Sequence, residues 1–568
     1  MDRAVSLRAA RTGWALCLAL VAGFVLLRLP YAVWPIETHP DERYYAVGAA
    51  EMIASGEWVV PVSPEGEVRL RKPPLPYWYA AAGFALFGET ALGARAAWLA
   101  TAAATLALTW ALARTIGASV TGAALAVAAL GGHATFAKSA GQHIPDGPLI
   151  LGVTVALAAF SALYARAAER PAWLLYAGYL GLSWAALAKG LLPLLFLGVL
   201  LAVRLAHPLR LSARERRHER QAAALAAAAC LWWFAVVALR FPQEMAAQFL
   251  ADQVSDKATL DPLAVLAGLR KTVTDLALPF APVLVAVFAA RRWPPLGAGG
   301  SGAVKLLMAW VAAVVLLFAF SDPLWERYVL PAVPAAAALI GLWASRLEPA
   351  SLARRLSRAA PLFALLPVVA ALLAGVLSIG VGRVTGGLAL IGCGFGLALL
   401  GWRVAGAGRA VPAAALLGAT YPLIALCLVP LWLWIARPTP ADILAADLAR
   451  SAVGPADVVF LADRHLVNEI GLVTGGIAAY SFAPTPDALP GDAALVVARD
   501  PALAPALEAQ GYATEMIPGF PFDAPDLGLF LAAWRAGTLE TYRAGHGQPL
   551  VVGRRAARPT ASGPQGSP

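Results

Sequence analysis

Apolar runs recur through this chain, each roughly the 20 residues that an α-helix needs to cross a bilayer, and they leave few structures open to it. Within hydrocarbon only helices and closed barrels satisfy their own backbone hydrogen bonds. The runs are rich in Ala and Leu and lack the alternating ten-residue pattern of a membrane barrel, so the chain reads as all-α through the membrane. Thirteen spans are predicted, near 13–35, 92–113, 118–137, 148–166, 172–189, 190–206, 222–240, 275–290, 304–320, 328–346, 360–380, 385–402 and 410–435. The first follows Arg3, Arg8 and Arg11 but is too long for a signal peptide and lacks a small-residue cleavage site.

Composition agrees. Of the 568 residues 60% are apolar and only 14% are charged, where a soluble domain carries about a quarter. The net charge of +10 comes from 44 Lys and Arg against 34 Asp and Glu. Most of the excess is Arg in short loops between spans, which sets topology and argues against a nucleic-acid partner. Arg204, Arg210, Arg214, Arg216, Arg217 and Arg220 fill one loop; Arg291 and Arg292 a second; Arg346, Arg354, Arg355 and Arg358 a third; Arg403 and Arg409 a fourth. With a cytoplasmic N-terminus and thirteen spans, all four loops fall in the cytoplasm. Residues 36–91, 138–147, 241–274, 321–327 and the chain beyond about 436 then lie outside it. Cys17, Cys230, Cys393 and Cys427 all sit in apolar runs, with no CxxC spacing, so neither a disulfide framework nor a thiolate metal site is expected.

The chain divides into a membrane domain over 1–435, including the long loop 36–91, an α/β domain over 436–553, and a disordered tail over 554–568. In the second part "ADVVFLAD" and "AALVVARD" read as buried strands, and "ADILAADLAR" and "PALAPALEAQG" as helices.

Five motifs carry charge to the outer side. "HPDERYY" places Asp41 and Glu42 just past the first span, where a carboxylate can act as general base or stand as an ordinary interfacial acid. "RLRKPPLPYW" holds Arg69, Arg71 and Lys72 before two prolines, suited to a lipid phosphate or to anionic headgroups in general. Asp146 in "HIPDGP" either caps a helix or serves the site. Lys189 interrupts an apolar stretch, by function or by snorkelling to the interface. Arg327 and Tyr328 open the tenth span, where the Arg fork suits a phosphate or anchors the helix. Acids and cations from separate segments thus converge on one face. Sugar nucleotides are not supplied there, whereas polyprenyl-phosphate sugars can be flipped to it.

The order and spacing of these motifs resemble the GT-C membrane glycosyltransferases, in particular the lipid A aminoarabinose transferases and the protein O-mannosyltransferases. The resemblance rests on Asp41-Glu42, "EMIASGEWVVP" at 51–61, Lys72-Pro73 with Tyr77-Trp78, Asp146, Lys189-Gly190, and Arg327-Tyr328 with Pro331. It implies an inverting transfer from a polyprenyl-phosphate sugar to a glycolipid, protein or polysaccharide acceptor at the periplasmic face of the inner membrane. It also implies catalytic roles for Asp41 and Glu42 and donor-phosphate contacts from Lys72, Arg327, Arg43 and Tyr45. Asp146, Lys189 and Tyr328 would shape the acceptor side. Two positions depart from the aminoarabinose branch. Tyr44-Tyr45 stands where Arg-Tyr is usual, with Arg43 one place early, and Arg71 replaces an acid before Lys-Pro. No clear ligand cluster supports a divalent metal. The rival reading is a lipid or sugar-lipid flippase, which would show internal repeats or paired broken helices; the chain shows no such repeat.

Overall fold

The computed structural model describes residues 2–34, 39, 41–62, 67–166, 170–249, 259–288, 302–380, 382–436, 440–450, 453–462, 466–474, 476–477, 480–517, 527–537 and 549–555. Among them, nine helices are long and apolar enough to cross a membrane, and the chain is a multi-pass membrane protein. The other four expected spans are also helices, but shorter: Val120–Gly132, Trp173–Lys189, Leu192–Ala206 and Ala281–Phe288.

Local chemistry explains the breaks. The chain leaves helical geometry at His133 (ψ 114°) and resumes as Ala134–Ser139. The long stretch around Lys189 divides at Gly190, whose φ of 98° favours glycine, and restarts with Pro193 in the first turn of the next helix. The eighth expected span, 275–290, is a correction. A helix already runs Pro262–Ala277, and a 3₁₀ turn at Leu278–Phe280 separates it from Ala281–Phe288. The loop with Arg291 and Arg292 lies outside the described residues. The Arg-rich segment near 213–220 is helical: Ser212 and Glu215 form a reciprocal capping box that starts the helix Ala213–Arg240.

The region 36–91 contains two helices. Glu42–Ser55 ends at Gly56 in the left-handed region. Leu75–Phe87 follows the two prolines. The two pack so closely that a Cβ at Gly48 would lie 2.6 Å from the Tyr77 ring.

The C-terminal domain carries a five-stranded sheet of β1 (Val458–Leu461), β2 (Ser481–Ala483), β3 (Leu495–Ala498), β4 (Tyr512–Ile517) and β5 (Leu550–Arg555), in the order β2-β1-β3-β5-β4. β1 pairs parallel with β2 and β3, while β5 runs antiparallel to β3 and β4. Strand β5 takes in Arg554 and Arg555, which correct the start of the expected disordered tail; the rest of that tail lies outside the described residues. The domain docks on the first of the two loop helices. Ala441, Leu444, Val467 and Ile470 share a buried cluster with Ala46, Val47, Ala49 and Ala50. The Ile477 backbone N–H also donates to the Glu89 carboxylate.

Candidate active site

Four of the charged residues singled out in the sequence, Asp41, Asp146, Lys189 and Arg327, meet at one end of the helical bundle. The helices Asp146–Ala165 and Trp173–Lys189 form an antiparallel pair, so the first residue of one faces the last of the other. They approach backbone to backbone: a Cβ on Gly152 would lie 2.5 Å from the Gly181 carbonyl oxygen. At the open end the Lys189 ammonium donates to Asp146 Oδ1 at 2.5 Å, and it lies 5.2 Å from the centre of the Tyr328 ring.

Arg327 joins this pair to Asp41. Its Nε is 3.8 Å from Asp146 Oδ2 and its Nη2 is 3.5 Å from Asp41 Oδ2. The residue sits at the head of a 3₁₀ segment, Glu326–Ala332, that leads into the helix Val333–Ala344. Pro334 has no N–H to offer the Pro331 carbonyl. The Trp310 indole donates to that carbonyl instead, at 2.8 Å, which ties the segment to the bundle. Asp146 is 2% exposed and Asp41 37%, so within this chain Asp41 is the more accessible carboxylate.

His39, absent from the sequence expectation, completes the group. Arg327 donates to its Nε2. Its Nδ1 faces a second donor, the Asp41 backbone N–H at 3.1 Å, and also lies 3.8 Å from Asp41 Oδ2; a neutral imidazole accepts at one nitrogen only, so the two donors compete for it. Burial lowers the His39 pKa; Asp41 opposes this and Arg327 reinforces it.

Glu42 points elsewhere, away from Asp41 and into the protein. The side chain is fully buried and takes a two-point contact from Arg95, with Nη2 to Oε2 at 2.9 Å and Nε to Oε1 at 3.3 Å. The His143 backbone N–H donates to Oε1 at 3.2 Å. Arg95 also donates to the Tyr31 and Trp34 carbonyls, tying the end of the first span to this network. Burial alone would raise the Glu42 pKa, but Arg95 and His143 outweigh it and hold the carboxyl well below the usual carboxylate range. Arg95 was legible as a lone charge in an apolar run, a signal of the same kind as Lys189.

Tyr45 is buried against Tyr77: it is 1% exposed and its ring centre lies 5.1 Å from that of Tyr77. Arg43 lies 5.6 Å from the Tyr44 ring centre. Lys72 donates to the Arg71 carbonyl at 3.2 Å. Among the described residues, no group of three or more His, Cys, Asp or Glu is placed to hold a metal ion.

Known proteins match this chain in part by sequence and in full by fold. Residues 14–243 match the profile of the family described as dolichyl-phosphate-mannose-protein mannosyltransferase. An uncharacterized protein of Aquifex aeolicus is 35% identical over 159 residues, 28% of this chain and 30% of its own length. The undecaprenyl phosphate-alpha-4-amino-4-deoxy-L-arabinose arabinosyl transferase 2 of Pseudomonas fluorescens is 40% identical over 87 residues, 15% of this chain and 14% of its own. The matched segments thus span less than a third of these relatives. Crystal structures of ArnT from Cupriavidus metallidurans cover 98% of this chain and 100% of their own. The apo state gives a TM-score of 0.64 at 19% identity, and the state bound to undecaprenyl phosphate 0.66 at 20%.

This chain has the GT-C fold.

Within the GT-C fold the profile-matched segment holds Asp41, Lys72, Asp146 and Lys189, while Arg327 lies beyond it. The chain resembles both the aminoarabinose transferases and the protein mannosyltransferases.

Proposed function

We propose that this chain is an inverting glycosyltransferase that moves a sugar from a polyprenyl-phosphate donor to an extracytoplasmic acceptor. The observation that carries the reading is the run of alternating charges from Asp41 through Arg327 and Asp146 to Lys189. It holds one partly exposed carboxylate among fixed cations, on a fold shared with a structure bound to undecaprenyl phosphate. The acceptor is a hydroxyl or phosphate of a lipid A-like glycolipid, a protein or a glycan.

In the transfer, an acceptor oxygen attacks the anomeric carbon from the face opposite the phosphate. Asp41 orients the attacking group and takes its proton. The bond from the anomeric carbon to the phosphate oxygen breaks, and its electron pair stays on the phosphate. Lys72, with Arg327, meets the charge that grows there. Asp146, held by Lys189 and Arg327, keeps the Arg327 guanidinium in place and shapes the acceptor side together with Tyr328.

The test supplies purified protein in vesicles with labelled polyprenyl-phosphate sugars and membrane extract. Label should move from the polyprenyl lipid into an acceptor fraction with inverted anomeric configuration. Movement of intact labelled lipid between leaflets, with no transfer, would establish the flippase instead.

A further inference from the structure

The 3₁₀ segment that delivers Arg327 to Asp41 also carries two residues to which the proposed transfer gives no role, Trp325 and Glu326. Trp325 is the N-cap of the segment, and the Tyr328 N–H donates to its carbonyl at 3.0 Å. The bond from Trp310 to the Pro331 carbonyl holds the other end. The Trp325 backbone is therefore fixed, yet the residue is 51% exposed, while Tyr328 on the same segment is buried.

Glu326 stands between Trp325 and Arg327, and the Lys138 ammonium donates to its Oε1 at 2.7 Å. Lys138 comes from the short helix Ala134–Ser139, just ahead of the turn that leads to Asp146. Both side chains are half exposed. An ion pair in that setting contributes little to stability, and its two groups are accessible to a ligand. Arg327 ties these residues to the chemistry. Its guanidinium carbon lies 5.6 Å from the centre of the Trp325 ring, and its Nη2 lies 3.5 Å from Asp41 Oδ2. One side chain thus links an exposed indole to the proposed base.

An indole face is apolar, and so is the C–H face of a sugar ring, whose hydroxyls project around its edge. A sugar laid on the indole removes both faces from water. A few fixed polar groups then orient the ring. Lys138 donates and the Glu326 carboxylate accepts, so a single hydroxyl can bridge the two by accepting from one and donating to the other. Charge narrows the sugar further. Asp41 faces Arg327, Asp146 faces Lys189 and Arg327, and Glu326 faces Lys138. The position before Lys72, an acid in the aminoarabinose branch, is Arg71. An ammonium on the sugar would meet these cations, with each of the three carboxylates already paired. A hydroxyl is matched without adding charge.

We propose that Trp325 and the Lys138–Glu326 pair form the subsite for the transferred sugar, and that this sugar is an uncharged hexose or pentose. This rests on the glycosyltransferase reading. The ring stacks on Trp325, its hydroxyls engage Lys138 and Glu326, and its anomeric carbon is presented toward Asp41. Sugar and lipid phosphate are then recognised by different residues, which makes the two separable by mutation.

The experiment compares parent, Trp325→Ala, Trp325→Phe and Glu326→Gln proteins, each checked by thermal melting. Binding is measured to bare polyprenyl phosphate and to polyprenyl phosphate carrying mannose, glucose, arabinose or 4-amino-4-deoxyarabinose, and transfer from each donor into membrane extract is followed. The parent should bind at least one uncharged donor more tightly than the bare lipid, and arabinose more tightly than its amino counterpart. Trp325→Ala and Glu326→Gln should each weaken binding of the preferred donor about 10-fold, with binding of bare polyprenyl phosphate unchanged. Trp325→Phe, which keeps an aromatic face, should fall between. If Trp325→Ala does not fold, the Phe variant and Glu326→Gln carry the comparison. A parent that transfers sugar, with variants that bind its donor equally well, would overturn the subsite and leave the transferase reading standing. A parent that prefers the amino donor would overturn the uncharged sugar. Equal weakening toward the bare lipid would make Trp325 an anchor at the membrane interface, and a raised acceptor KM with donor binding intact would move the subsite to the other substrate; either outcome overturns the proposal. A parent that neither binds nor transfers from these donors would overturn both readings.

Discussion

Glu42 and Arg95 form a two-point ion pair in which neither side chain is exposed. Removing one member of such a pair strands a buried charge, which costs ~3–5 kcal/mol. Glu42→Gln should therefore lower stability by about that amount, read as a shift in the denaturation midpoint of the detergent-solubilised protein. An unchanged midpoint would return Glu42 to the list of candidate catalytic acids.

Asp41 should behave in the opposite way. Its carboxylate is partly exposed, and the Arg327 guanidinium is 3.5 Å away. Asp41→Asn keeps the shape but cannot take a proton. Stability and lipid-phosphate binding should stay near the parent's while single-turnover transfer is almost abolished. Full transfer by this variant would remove the proposed chemistry.

Lys72 is assigned to the donor phosphate with Arg327. Lys72→Ala should weaken polyprenyl phosphate binding by about 10- to 100-fold, the worth of one charge-assisted hydrogen bond. Parent-like binding in a folded variant would exclude that role.

His39 predicts a pH dependence. Its folded pKa is lowered, so the unfolded chain binds a proton that the folded one resists. The stability from neutral His39 is present above the ordinary value of about 6.5 and is lost as pH falls from there toward the lower folded value. Protonation would also leave neither ring nitrogen able to accept, although Arg327 and the Asp41 N–H both face the ring as donors. Transfer should fall on the acid side of about pH 6.5, and His39→Gln, which keeps an acceptor, should flatten that fall. His143, buried against Glu42, also has a lowered pKa, so the flattening should be partial. An identical acid limb in the variant would clear His39 of the role.

Orientation is tested by fusion. A reporter active only in the periplasm should work when joined after Arg437 and fail within 207–220, and a cytoplasmic reporter should do the reverse. The opposite pattern at either point would overturn the thirteen-span topology.

Much of the architecture was legible because a long apolar run has few alternatives in a membrane. The break after Lys189 announced itself through Gly190 and Pro193. Asp146 and Lys189 stood out because charge in an apolar stretch demands a partner, and they proved to be partners of each other. Adjacency to Asp41 suggested a shared role for Glu42, whereas successive residues at a helix start point in different directions. Its partner Arg95 is 53 residues away, and only the fold joins them. Strand β4 was hidden by its mixed exposure, with buried Tyr512 and Ile517 at its ends and exposed residues between. Helix Leu75–Phe87 was masked by its prolines and aromatic residues, which read equally well as an interfacial loop.

The docking of the C-terminal domain on helix Glu42–Ser55 has a consequence for biogenesis. The helix that carries Asp41 is among the first parts of the chain to be synthesised, while the surface that covers its Ala46–Ala50 stretch is among the last. Glu89 and the Ile477 amide that caps it are 388 residues apart in sequence. The segment bearing the proposed base therefore waits, incompletely packed, while most of the membrane domain is inserted. A nascent or truncated chain holds the Asp41 carboxylate on a loosely supported helix, whose packing is completed only when the C-terminal domain arrives.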